Sequence, residues 1–152
     1  KRGCLGASIG EFEMVRHARD AGIPLSGVPG SRDPREVDAA FFELLRLADD
    51  GDPTAAGLFD EAGRSAAMAV TMVGELLETD TVIIGGPRWD PMRRLVEPSM
   101  RPVLDGHRVH GAARPITLDA DPLGWRAGAV GAACLILDEV FTPKSSTLLI
   151  NP

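Results

Sequence analysis

The sequence predicts an α/β lobe that is rich in helix and short of strand. Three observations carry this. Helical runs open on Asp-Pro pairs, two short β-stretches are separated by a further helical run, and one long helix presents a face made largely of alanine. Helices alternating with strands favour a layered α/β architecture over an all-helical bundle. Two strands do not complete a sheet, so the remaining strands are expected from outside these residues.

The elements follow in order. Ile9, Phe12, Val15 and Ala18 recur at the step of one helix face, so the first helix is expected over 9–21. Gly22 and then Pro24 end it. Residues 22–34 are crowded with Gly, Pro and Ser and read as a connection. Asp33-Pro34 supplies an N-cap and a proline at the first helical position, and Val37, Phe41, Leu44, Leu45 and Ala48 then fall on one face of a second helix ending near Asp49. Asp52-Pro53 repeats the device at the head of a long helix to about Glu78, whose expected core face is Phe59, Ala62, Ala66, Ala69, Val73 and Leu76. Small side chains there let the helix axis approach its neighbour closely. Thr81-Val82-Ile83-Ile84 is a β-branched run ending in Gly85-Gly86, which reads as a buried strand feeding a tight turn. A capped helix from Trp89-Asp90-Pro91 to about Leu104, a weaker strand at Ile116–Leu118 and a final helix from Trp125 to about Phe141 complete the chain.

Composition narrows the functions. The chain has 152 residues, 44% of them apolar and 25% charged. A single domain of this size buries about 68–70% of its unfolded surface, enough for a core. Net charge is −6 at pH 7. That field repels phosphate backbones, so these residues are not expected to contact DNA themselves. There is no tyrosine and aromatics make up 5%, which argues against a base-stacking platform. No apolar run approaches the ~20 residues of a membrane helix, and no secretory signal pattern is visible. Two cysteines, Cys4 and Cys134, do not make a disulfide scaffold. A reducing cytoplasm is the expected compartment.

Local patterns then point further. Lys1-Arg2-Gly3-Cys4-Leu5 matches the end of a Cys-x-Cys-Gly-x-x-Gly-Cys knuckle; Gly51-Asp52 precedes the alanine-rich helix; Ile84-Gly85-Gly86 closes the strand; and Leu123-Gly124-x-x-Ala127-Gly128-Ala129-x-Gly131-Ala132-Ala133 opens the last helix. In this order, across essentially the whole chain, these resemble the C-terminal half of the ROK family (repressors, open reading frames and kinases). The resemblance implies an actin-like, ribonuclease-H-like fold of two lobes with sugar and nucleotide in the cleft between them, this chain being most of one lobe. It implies that the phosphate loop, the catalytic aspartate, the sugar-gripping Asn-Asp pair, the zinc-site histidine and any helix-turn-helix lie outside these residues. The chain is therefore expected to be a fragment with no catalytic residue of its own.

The resemblance also assigns candidate sites. Cys4 would be the last thiolate of a zinc knuckle; a small buried hydrophobe is the plainer reading. Gly6 stands where sugar-binding members carry a glutamate that accepts from sugar hydroxyls, so that acceptor is absent; equally, Gly6 permits a turn into the first helix. Gly85 and Gly86 would let a nucleotide approach backbone amides, or serve only as a strand-to-loop turn. Pro87 follows where kinases often have a further glycine, removing a donor.

Other candidates read as structural. His107 and His110 lack a third ligand nearby, and His17 reads as a solvated helix residue. Arg93, Arg94 and Arg101 are positioned to clamp an anion, although a solvated helix face is the simpler account. Cys134, among Ala132, Ala133, Leu135 and Ile136, is expected in the core, and Ser8 has no nucleophile motif around it.

These readings lead to an effector-sensing and oligomerising lobe of a ROK-type transcriptional regulator of sugar metabolism. Its expected partners are a sugar or sugar derivative, DNA only through a domain outside the chain, and a second copy of itself. Zinc is the expected cofactor of the intact protein. The alternative is a lobe of an ATP-dependent ROK sugar kinase, glucokinase-like, with ATP as cofactor; a third is an interaction module that dimerises through its alanine-rich helices.

Overall fold

A computed structural model describes residues 4–106 and 115–142. His107 and His110, and Lys1–Gly3 of the knuckle pattern, lie outside the described residues. The element order is α1 (Leu5–Ile9), α2 (Glu11–Asp20), α3 (Pro34–Asp49), α4 (Pro53–Leu77), β1 (Thr81–Ile84), α5 (Trp89–Asp105), β2 (Thr117–Ala120), a 3-10 turn over Gly124–Arg126, and α6 (Ala127–Phe141).

The Asp-Pro heads behave as read. The Asp33 carboxylate accepts from the Arg35 amide at 2.9 Å. The Asp52 carboxylate accepts from the Thr54 and Ala55 amides at 2.9 and 2.8 Å. Each cap satisfies amides that the first turn leaves without a helical partner, while proline fills a position with no helical donor to lose.

The first helix differs from its expected extent. Gly10 takes an extended backbone, φ −69° and ψ 133°, and splits the run into α1 and α2. The junction is tight: the Gly10 amide donates to the Gly6 carbonyl at 3.0 Å, and a Cβ on Gly10 would lie 2.5 Å from that oxygen.

The core gathers between α2, α3, α4 and α5. Met14, Val15 and Ala18 of α2, Phe41, Leu44 and Leu45 of α3, Phe59 of α4 and Val96, Met100 and Leu104 of α5 belong to one buried cluster. Phe41 and Phe59 stand edge to face at 6.2 Å, an arrangement that adds to the area they bury. Close approach of α4 to α5 is real, but glycine sets it as much as alanine. A Cβ on Gly63 would lie 2.5 Å from the Val96 carbonyl oxygen and 2.2 Å from Ser99 Oγ. The α4 face also turns away from the expected row in its last turns. Gly74 lies against Ile116, while Val73 and Leu76 are exposed.

β1 and β2 pair in parallel, with Thr81 opposite Thr117 and Ile84 opposite Ala120. The second strand thus runs two residues beyond its expected end, because the ladder with β1 carries Asp119 and Ala120 with it, while Ile116 is buried just before it. Parallel strands need a crossover, and α5 provides it. Val82, Ile84, Leu118 and Ala120 are partly buried against the core, whereas Ile83 is 64% exposed.

Cys134 corrects an expectation. It is exposed, and α6 contains no buried residue; Leu135, Ile136, Val140 and Phe141 are all exposed. The side chains are apolar enough for a core, but among the described residues α6 has no helix or sheet packed over it.

Candidate functional site

The parallel strands end side by side, and the turns that follow them form one edge. Ligands of open α/β sheets bind outside the carboxyl ends of strands, and Gly85 and Gly86 lie there. The Asp121 amide donates to the Ile84 carbonyl at 2.9 Å, which draws the second turn against the first. A Cβ on Gly85 would lie 2.7 Å from the Asp121 Cβ, so this glycine is demanded by its neighbour strand. Gly86 has φ +105°, a left-handed backbone that glycine adopts without steric cost. Both glycines are therefore explained by the turn itself.

Two carboxylates that the sequence reading passed over stand at this edge. Asp121 accepts from the Leu123 amide at 2.9 Å through its side chain, and Asp90 Oδ2 would lie 3.2 Å from a Cβ on Gly124, whose φ is +52°. The Asp-Pro-Leu-Gly run after β2 signals such a turn. With Asp90 in its first turn, the head of α5 is a poorer anion site than its dipole alone would make it. The edge offers acceptors for hydroxyl or amino groups rather than a cradle for phosphate.

At the other candidate position, Gly6 is exposed and a Cβ there would meet nothing within 4 Å. A Cβ therefore meets no obstacle at that position. Cys4 is exposed and precedes α1 as its N-cap residue. Among the described residues no group of three or more His, Cys, Asp or Glu is placed to hold a metal ion. Cys4 by itself does not fit the four-ligand set a structural zinc requires, so the residues described here do not support the zinc expectation.

Two recesses share Arg88 in their lining. One, of about 390 Å³, is walled by Leu5, Ile9, Val70, Val82, Ile84 and Trp89 among others, with Arg88 its one charged lining residue. The other, about 380 Å³, carries the charged side chains of Glu11, Arg32, Asp38 and Arg88 around Phe12 and Val37. The Arg32 guanidinium sits 4.6 Å from the Phe12 ring centroid.

The remaining candidates are engaged locally. Arg93 and Arg101 both pair with Glu97, at 2.6 and 2.5 Å, and Arg94 pairs with Asp49. Hydrogen bonding to Arg93, joined by Arg101, holds the Glu97 carboxyl below its usual range. These cations clamp carboxylates of the chain itself rather than an outside anion. His17 is half-buried with Nε2 3.0 Å from Arg16. No described helix is long and apolar enough to cross a membrane.

No protein-family model matches the chain and no curated protein matches it. Solved structures do. A ROK family glucokinase from Streptomyces griseus, solved in complex with glucose and AMPPNP, is similar over 89% of this chain and 45% of its own, at 25% identity and a TM-score of 0.63. A ROK hexokinase from Thermus thermophilus is similar over 91% of this chain and 42% of its own, at 24% identity and a TM-score of 0.64. The chain thus spans less than half the length of either structure. Its helix-rich body and two-stranded sheet are compatible with part of their actin-like fold, and the likeness supports the ROK resemblance carried by the sequence motifs.

Proposed function

We propose that this chain is the ligand-sensing lobe, the C-terminal one, of a ROK-type transcriptional regulator of sugar metabolism, working in the cytoplasm as a homo-oligomer. The observation that carries the reading is Gly6: at the exposed head of α1 the chain has no side chain where sugar-binding members of the resembled family place a glutamate. Pro87, with no amide donor in the turn after Gly86, agrees with a weakened nucleotide site. A sugar in the interlobe cleft would favour one of two lobe arrangements by its differential affinity and so bias a DNA-binding domain outside these residues. The acidic chain itself keeps clear of the DNA. The intact protein should retard operator DNA in a mobility-shift assay, with a hexose changing the midpoint; no retardation with or without sugar rejects the regulator.

The second reading is an ATP-dependent ROK sugar kinase. It is favoured by both structural neighbours being kinases, one holding glucose and AMPPNP. Hexose-dependent ADP release by the intact protein decides for it.

A further inference from the structure

Arg88 joins parts of the chain that are far apart in sequence. It follows Pro87 in the turn after Gly85-Gly86, and its Nε donates to Glu11 Oε1 at 2.6 Å across 77 residues. A second guanidinium nitrogen donates to Asp38 Oδ1 across 50 residues, and the guanidinium carbon lies 5.1 Å from the Phe42 ring centroid. The Arg88 side chain is 28% exposed, Glu11 32% and Asp38 41%. A planar fork that reaches two carboxylates and an aromatic face at once is a task for arginine and not for lysine.

Glu11 is the first residue of α2, next to Gly10, whose amide donates to the Gly6 carbonyl. A continuous physical connection therefore runs from Gly6 through Gly10 and Glu11 to Arg88 and the Gly85-Gly86 turn. Leu5 and Ile9 of α1 reinforce it by lining the same apolar recess as Gly85, Arg88 and Trp89. We propose that Arg88 is a positioning residue that fastens the glycine turn to the α1–α2 junction, so that the two candidate ligand positions move as one unit. The tether stands on this geometry alone; its value for sensing rests on the sugar-site reading above.

The test is hydrogen exchange in the intact protein, which needs no ligand and so separates failure of the tether from failure of the sugar reading. Arg88→Met should speed exchange at least about tenfold in both 5–13 and 84–90, the scale of a lost charged hydrogen bond, with 58–67 of α4 unchanged. Should that variant not fold, Glu11→Gln is expected to loosen 5–13 while Asp38 still holds the turn. Between 0.15 and 1 M salt the Debye length falls from about 8 to about 3 Å, so wild type should loosen in both segments and Arg88→Met should not respond. A side chain that merely packed on Phe42 would give no such difference. Wild-type exchange at 5–13 in both variants, or an equal salt response in wild type and Arg88→Met, overturns the proposal.

Discussion

Gly63 shows how much one missing side chain decides. With the Val96 carbonyl and Ser99 where a Cβ would go, Gly63→Ala forces α4 and α5 apart. Overpacking of this kind typically costs about 1–3 kcal/mol. Urea unfolding should show that loss for Gly63→Ala, and a gain of about 0.5–1 kcal/mol for Gly57→Ala, an exposed helical position with open space at its Cβ. The closeness was legible in the alanine-rich composition of α4. Gly63 as the contact point was not, because sequence periodicity gives a face but not which residue of that face meets a backbone carbonyl. Gly85 is a parallel case: its need is set by Asp121, in contact only once β1 and β2 pair. Cys4 and Gly6 were legible as positions from the motif and their exposure only from the structure, while the ligand set for zinc is not assembled among the described residues.

At the scale of elements, the helices with Asp-Pro heads were legible because capping is local chemistry. The 22–33 stretch was legible as a connection, but the contacts that hold it were not, because they come from both neighbouring helices. Arg19 of α2 donates to the Ser26 carbonyl at 2.5 Å, and Glu43 and Glu36 of α3 accept from the Ser26 and Val28 amides at 2.8 and 3.3 Å. The Ser26 amide, aided by its side chain, holds the Glu43 carboxyl below its ordinary value of 4.5. A carboxylate with a folded pKa below its unfolded one contributes stability above the unfolded value and loses it as pH falls through the folded value. The connection should therefore hold at neutral pH and loosen as pH falls below the ordinary carboxylate range. Amide exchange at 24–30 should accelerate with acid beyond the intrinsic rate, and Glu43→Gln should remove that acid dependence. The final helix was legible as a helix and illegible in placement. Apolar content alone marked Cys134 as core, yet burial requires a second surface, and among the described residues none packs on α6.

For the whole molecule, the side chains of α6, of the last turns of α4 and of Ile83 leave apolar surface exposed, and the chain spans under half the length of its structural neighbours. Fold class was readable from alternation of helix and strand, and the neighbours agree with it. Activity was not readable, because the acids, phosphate loop and DNA-binding elements that would separate regulator from kinase are expected outside these residues. What the chain does carry is Gly6, with room for a side chain and none present. Calorimetric titration of the intact protein with glucose, as wild type and as Gly6→Glu, tests the central claim most directly. Adding one charged acceptor should tighten glucose binding by about 10- to 150-fold, corresponding to roughly 1.5–3 kcal/mol. Unchanged or weaker binding in Gly6→Glu would contradict a sugar site at the head of α1.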